Sequence, residues 1–253
     1  MIKKEKVTLS TLVMYWVRFS YLAVRTYWND TRGSALSNSE STIHAAHQLD
    51  GDTGKLEKYY ADWASRYDDD VKSEEYGGPA AIASMAVMVA DSYLARVPKD
   101  IRVLDAGCGT GLAGIELRAR GFRTIDGFDL SEDMCEIARE TGLYDKLAAN
   151  VNLNVDGPPA FDEKYDLVVC CGVFTLGHVE PDGLRRLASY LSDGGYLITS
   201  TRKSYVEGSD FEEATARIEA EGVLERVSTL KDAVYIAEEG AHYWIYRKGV
   251  TAA

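Results

Sequence analysis

One stretch of the chain concentrates residues able to do chemistry on a nucleoside-like ligand: Val103-Leu104-Asp105-Ala106-Gly107-Cys108-Gly109-Thr110-Gly111. An apolar run ends in a carboxylate and passes into a loop with glycine at every second position. Glycine takes positive φ without steric cost and lets backbone approach a ligand closely. A helix starting after the loop aims its N-terminus at the same place. Two ligand readings compete. Gly109, Gly111 and Gly114 satisfy G-x-G-x-x-G, and Asp129 follows Gly109 by 20 residues, where the dinucleotide pattern wants a ribose-binding acid. The frame beginning at Asp105 suits S-adenosylmethionine better. That ligand has no phosphate but carries an ammonium and a sulfonium, for which a carboxylate is a fitting neighbour; beside a pyrophosphate the carboxylate would be repulsive. Asp129 serves a ribose in either case, because a carboxylate accepts from two hydroxyls. Leu130 and Met134 follow it, Met134 standing either against the adenine face or in helix packing. Asn150, with Asn152 as the alternative, is the candidate for the adenine amino group; the competing reading is a loop asparagine with local hydrogen bonds.

Further along, Gly172-Val173-Phe174-Thr175-Leu176-Gly177-His178 holds the candidate general base, His178, whose imidazole titrates near neutrality. Arg202 and Lys203 read as solvated surface charge, with pairing to an acidic substrate as the alternative. Tyr235, Tyr243, Trp244 and Tyr246 read as core and cross-strand pairs, or as walls of an acceptor pocket.

The elements that must position these residues alternate between strand and helix. Strands are predicted at Ile101–Asp105, Thr124–Asp129, Leu147–Val151, Tyr165–Cys171, Tyr196–Ser200, Glu225–Leu230 and Tyr243–Arg247. Helices are predicted near Leu112–Arg120, Glu132–Thr141, Asp182–Leu191 and Phe211–Glu221. Y-D-L-V-V-C-C is continuously apolar, as expected of a strand covered on both faces. Such alternation implies an α/β protein with a doubly wound, mostly parallel sheet, whose ligands bind beyond the carboxyl ends of the strands. Upstream, Tyr60, Trp63, Ala64 and Tyr67 share one helical face, and Pro79 suits the first turn of a second apolar helix ending near Leu94.

Of 253 residues, 40 are acidic and 28 basic, a formal charge of -12, which disfavours nucleic acid and anionic membranes as partners. Four cysteines without a C-x-x-C pair make neither a disulfide framework nor a cysteine zinc site, so no metal is expected and the location reads as cytoplasmic. Residues 29–54 have linker composition. Val7–Trp28 is apolar and aromatic but interrupted by Arg18 and Arg25, too diluted for a spanning helix. It reads as an added packing or subunit-contact helix, hence a homo-oligomer, ahead of an interfacial membrane helix. The division is therefore 1–54, an N-terminal extension, and 55–253, the main domain with lid helices in 55–97. His44 and His47, lacking a third ligand, read as surface residues.

V-L-D-A-G-C-G-T-G, F-D-L-S-E-D-M, Y-D-L-V-V and G-G-Y-L-I-T-S-T-R together resemble the class I S-adenosylmethionine-dependent methyltransferases. Y-A-D-W-A-S-R-Y-D-D-D-V at 60–71, G-T-G-L-A-G-I-E-L-R-A-R-G-F at 109–122 and G-L-Y at 142–144 are similar to the Williams–Beuren syndrome methyltransferase-like branch. The resemblance spans Lys55 to Lys248. It implies a Rossmann-like seven-stranded sheet whose last strand is antiparallel and methyl transfer to a small-molecule acceptor. It also implies Asp105, Gly107, Gly109 and Gly111 around the methionine part, Asp129 on the ribose, backbone contacts from Gly172, and a lid carrying Tyr60, Trp63 and Tyr67. Asn150 departs from the aspartate usual there. The alternatives kept beside this reading are an NAD(P)-dependent oxidoreductase and a non-catalytic binding module.

Overall fold

The computed structural model describes residue 67, residues 76–237 and residues 239–249. The expectations for residues 1–54, Tyr60 and Trp63 lie outside the described residues. Strands β1 (Arg102–Ala106), β2 (Thr124–Phe128), β3 (Lys146–Ala148), β4 (Tyr165–Phe174), β5 (Leu191–Arg202), β6 (Leu224–Ala233) and β7 (Ala241–Lys248) form one sheet ordered β3-β2-β1-β4-β5-β7-β6. The pairs among β1 to β5 are parallel, and β7 runs antiparallel to both β5 and β6. This is the mostly parallel, doubly wound α/β arrangement that the alternation of elements implied.

Successive residues of a strand face opposite sides of the sheet. In β4, Leu167 and Val169 join the apolar layer beneath helix α1 (Gly78–Ser92), which contributes Ile82, Ala86 and Val89. Val168 and Cys170 join the opposite layer, with Leu184 and Leu187 of α4 (Gly183–Tyr190) and Phe211 and Ile218 of α6 (Phe211–Ala220). Both faces of β4 are thus covered, which explains its unbroken apolar sequence. Helix α2 (Leu112–Ala119) follows the glycine loop. Helix α3 (Glu132–Glu140) is capped by the Ser131 side chain, which accepts from the Met134 amide at 3.3 Å; Glu132 and Asp133 complement its positive end.

Three departures from the sequence reading have local causes. β3 stops at Ala148 because Asn150 adopts φ 61, which leaves the extended region. β5 begins at Leu191, not Tyr196: its ladder with β4 continues past a register shift on either side of Gly194 and Gly195. A short helix, α5 (Lys203–Gly208), was not expected; six residues are too few to show periodicity, and the helix is held by buried Tyr205, whose hydroxyl donates to the Val179 carbonyl at 2.7 Å.

β1 and β4 are neighbours whose following segments leave on opposite faces, so a crevice opens between their carboxyl ends. The β4–β5 ladder shifts register between Cys170 and Phe174, and Gly172, at φ 77, turns the strand there. The far side of that strand end is locked by aromatic packing. Phe211 lies 5.9 Å from Phe174, 5.8 Å from Tyr205 and 5.2 Å from Trp244, centroid to centroid. The Trp244 indole N–H donates to Thr201 Oγ1 at 2.8 Å, satisfying its one polar atom. Phe211→Ala is expected to lower unfolding stability by about 3–5 kcal/mol in urea melts, because fully buried Phe211 would leave a cavity among rings that cannot collapse into it.

Candidate functional site

The glycine loop is built by left-handed backbone at alternate positions. Gly107, Gly109 and Gly111 have φ of 71, 54 and 99, a conformation that side chains resist. At Gly107 a Cβ would also meet Val173 Cγ2 at 2.3 Å, so the loop passes flush against the last residues of β4. At Gly109 a Cβ would meet nothing within 4 Å.

The end of β2 holds this loop in place. The amides of Gly107 and Cys108 both donate to the Phe128 carbonyl, at 2.9 and 3.0 Å. Asp129 accepts from the Gly109 amide through Oδ2 (2.8 Å) and from the Ser131 amide through Oδ1 (2.9 Å). Burial raises the Asp129 pKa above the ordinary carboxylate value, and these backbone donors, with the Leu130 amide, oppose the rise. The Val151 amide donates to the Asp129 carbonyl at 3.0 Å, which brings the segment after β3 alongside.

Asp105, at the end of β1, is fully buried. Oδ2 accepts from the Tyr144 hydroxyl at 2.7 Å, while Oδ1 has no hydrogen-bond partner among the described residues. Burial pushes its pKa up to about 7, with the Tyr144 hydrogen bond pulling the other way and the Asp129 charge adding to the rise.

The remaining expected residues divide. Leu130 is half-buried beside Asp129 and Met134 is buried on α3. Asn150 is exposed at its left-handed corner, and Asn152 Oδ1 accepts from the Asn154 amide at 2.8 Å, a local loop bond. The Gly172 amide donates to Ser200 Oγ at 3.0 Å. Tyr67 is helical and half-buried, near enough to Tyr76 to influence its hydroxyl. Tyr76 itself, which the sequence reading passed over, stands at the head of α1. Its hydroxyl lies 3.2 Å from Cys171 Sγ and 3.4 Å from the Tyr235 hydroxyl, and the two rings meet edge to face at 5.1 Å. A Cβ on Gly172 would meet the Tyr76 hydroxyl at 2.6 Å, so glycine there admits the tyrosine. Tyr243, Trp244 and Tyr246 are wholly buried core, and Tyr235 stands at the β4 end.

His178 belongs to a second cluster, on the segment after β4. Its Nδ1–H donates to the Leu176 carbonyl at 3.1 Å, so the neutral ring carries its lone pair on Nε2. Burial, reinforced by the Arg202 charge, holds its pKa below the usual histidine value. Arg202 is a correction to the sequence reading: it is 2% exposed and ion-paired with Glu239 at 2.8 Å, whereas Lys203 is exposed as expected. Asn154, also missed, fastens the His178 segment from across the crevice. Its Nδ2 donates to the His178 carbonyl at 2.6 Å and its Oδ1 accepts from the Glu180 amide at 2.9 Å.

Comparison with known proteins gives this arrangement its family. A methyltransferase-domain family model matches residues 86–249. Methyltransferase-like protein 27 of Homo sapiens is 33% identical over 196 residues, 76% of this chain and 77% of that protein. The chain belongs to this methyltransferase family. It is an S-adenosylmethionine-dependent methyltransferase, and the dinucleotide reading is set aside. Magnesium-protoporphyrin O-methyltransferase of Rhodobacter capsulatus is 38% identical over 81 residues, 30% of this chain and 35% of that protein. Among solved structures, magnesium protoporphyrin IX methyltransferase from Synechocystis with bound S-adenosylmethionine shares the fold. It has a TM-score of 0.54 at 20% identity and covers 85% of this chain and 100% of its own.

The methyltransferase's donor cofactor fits the residues present on two counts. Asp105 Oδ1 is a buried acceptor lacking a partner among the described residues, suited to an ammonium, and Gly109 offers bare backbone beside open space. Gly107→Ala should reduce affinity for S-adenosylhomocysteine at least about tenfold by titration calorimetry, through left-handed strain and the clash with Val173. Gly222→Ala is the matched control: it carries the same kind of φ (73) with nothing near its Cβ, and should cost stability alone.

Proposed function

We propose that the chain transfers a methyl group from S-adenosylmethionine to a small organic acceptor whose nucleophilic atom carries a proton. The observation that carries this reading is the pairing, across one crevice, of a glycine loop preceded by a buried carboxylate, one of whose oxygens has no partner among the described residues, with a segment bearing a desolvated histidine. The magnesium-protoporphyrin O-methyltransferase among the relatives supports a small acceptor, as does the net charge of -12 against a nucleic acid.

In this reading Asp105 Oδ1 takes the cofactor's ammonium, and backbone of Gly107, Gly109, Gly111 and Gly172 lies along its amino-acid end. Asp129 accepts from the ribose hydroxyls with the lone pairs left over from its backbone bonds. Leu130, Met134 and Asn150 border the adenine. Tyr60, Trp63 and Tyr67 supply the aromatic side chains that cover the bound cofactor, whereas α1, placed by the sequence reading within the lid, is a core helix of the sheet. Residues 1–54 form an extension for subunit contact. When bound, the cofactor supplies an electrophilic methyl group on a positively charged sulfur. The chain's part is to orient donor and acceptor in line and to exclude water, an arrangement able to contribute about 7–11 kcal/mol. His178 Nε2 removes the acceptor's proton. Its neutral form is favoured by burial and by Arg202, and the Leu176 carbonyl fixes the tautomer that leaves Nε2 basic.

Two measurements test the proposal. Asp129→Ala should weaken S-adenosylhomocysteine binding at least about tenfold, since it removes both the ribose acceptor and the brace on Gly109. His178→Gln should lower kcat about 10²–10⁴-fold while leaving S-adenosylhomocysteine affinity within about threefold, when release of that product is followed with a panel of phenols, carboxylic acids and amines. Because burial depresses the His178 pKa, kcat measured with S-adenosylmethionine kept saturating at every pH should hold as pH falls to 6.5 and fail only below it. An acid limb of that kcat at or above 6.5, or a His178→Gln variant as fast as wild type, excludes this base.

A further inference from the structure

In the sequence Tyr144 is simply the last residue of Gly-Leu-Tyr, yet the structure builds a dedicated slot for it. A Cβ on Gly114 of α2 would meet its hydroxyl at 2.4 Å, one on Gly127 of β2 its ring at 2.8 Å, and one on Gly111 its ring at 3.2 Å. Three glycines from three elements thus clear space for one aromatic side chain. At the bottom of that slot the hydroxyl donates to Asp105 Oδ2 at 2.7 Å.

The groups facing Asp105 explain why such a donor matters. From β4 come the thiols of Cys170 and Cys171, from the glycine loop Cys108, and from the end of β2 the Asp129 carboxylate. None of these is a cation. Among the described residues, the Tyr144 hydroxyl and the Gly114 amide are the groups that favour the ionised form. Burial and the Asp105 charge push the Tyr144 pKa well up, so its hydroxyl stays protonated and can only donate when Asp105 is ionised.

We propose that Tyr144 is a positioning residue for the cofactor: it fixes the orientation and charge of Asp105, and so makes affinity for the ligand's amino-acid end depend on pH. The inference rests on the reading of Asp105 as the ammonium's partner. The ionised carboxylate binds the ammonium and the protonated one does not. Affinity therefore falls as pH drops through the Asp105 pKa. Removing the hydroxyl takes a donor from the ionised form, so the transition moves to higher pH.

The test is titration calorimetry from pH 5.5 to 9 with two probes: S-adenosylhomocysteine, which keeps the ammonium, and 5′-methylthioadenosine, which lacks the amino-acid end. Wild type should bind S-adenosylhomocysteine progressively more weakly below pH 7 and bind 5′-methylthioadenosine evenly throughout. Tyr144→Phe, which keeps the ring in its slot, should raise the midpoint by about one pH unit, a roughly tenfold loss on the acid side that recovers by pH 9. It should leave 5′-methylthioadenosine unaffected. If that variant does not fold, Gly114→Ala, which drives the hydroxyl off Asp105, should give the same shift. A purely structural role for Tyr144 would weaken both probes equally at every pH, and that result overturns the proposal. Asp105→Asn separates the two levels. If it abolishes the pH dependence while Tyr144→Phe leaves the wild-type midpoint in place, Tyr144 has no positioning role although the Asp105 reading stands. If Asp105→Asn leaves affinity and profile unchanged, the Asp105 reading itself fails and the proposal with it.

Discussion

The end of β2 acts as the brace for the end of β1. Three left-handed glycines in five residues give the loop from Gly107 to Gly111 a conformation with little intrinsic preference over many others, and ordering glycine carries the largest backbone entropy loss of any residue. What selects one conformation is a set of acceptors outside the loop: the Phe128 carbonyl, shared by two successive amides, and the Asp129 carboxylate on Gly109. Asp129 can serve because a carboxylate has lone pairs for more than two donors. Its charge is kept in a partly buried place by backbone amides rather than by a cation, a common way to hold a carboxylate without neutralising it. The loop is therefore shaped before any ligand arrives, and binding need not supply that ordering.

The crevice has two halves with different physical characters. On the β1–β2 side, backbone amides and two carboxylates dominate. On the β4–β5–β7 side lie Tyr76, Cys171, Tyr235, Ser200 and the buried Arg202–Glu239 pair. A buried ion pair is a weak source of stability, because desolvation cancels much of its attraction. This one places a positive charge near His178 without leaving that charge uncompensated, and so disfavours a second cation on the imidazole. The halves meet where Val173 covers Gly107, a contact that exists because residue 107 has no side chain. A shift of the last residues of β4 is thereby transmitted to the glycine loop by direct packing.

What the sequence made legible follows from how few residue types satisfy each constraint. Alternate positive φ admits glycine almost alone, so the loop announced itself. A strand buried on both faces must be continuously apolar, so β4 did too. Residues whose role depends on distant partners stayed hidden. Tyr144 takes its meaning from Gly111, Gly114, Gly127 and Asp105, none of them its neighbours in sequence. Asn154 looked like one polar loop residue among several, and only the fold brings it to the His178 and Glu180 backbone. Arg202 resembled a solvated charge at a strand end because its partner, Glu239, reaches it from the segment between β6 and β7. Tyr76 was passed over because a single aromatic before Gly77-Gly78 has no periodicity to report.

The ambiguity between the two cofactor patterns has the same root. Gly109, Gly111 and Gly114 matched a dinucleotide signature in spacing, yet the third glycine is required here by the Tyr144 hydroxyl rather than by a pyrophosphate lying on the helix. A glycine records only that something comes close, and the identity of that something must be read from the fold. Asp105 discriminates more sharply, because a carboxylate fully buried among thiols and another carboxylate is a poor neighbour for phosphate and a good one for an ammonium. Charge sign, which survives changes of loop geometry, is the better guide to the ligand than glycine spacing, which several geometries share.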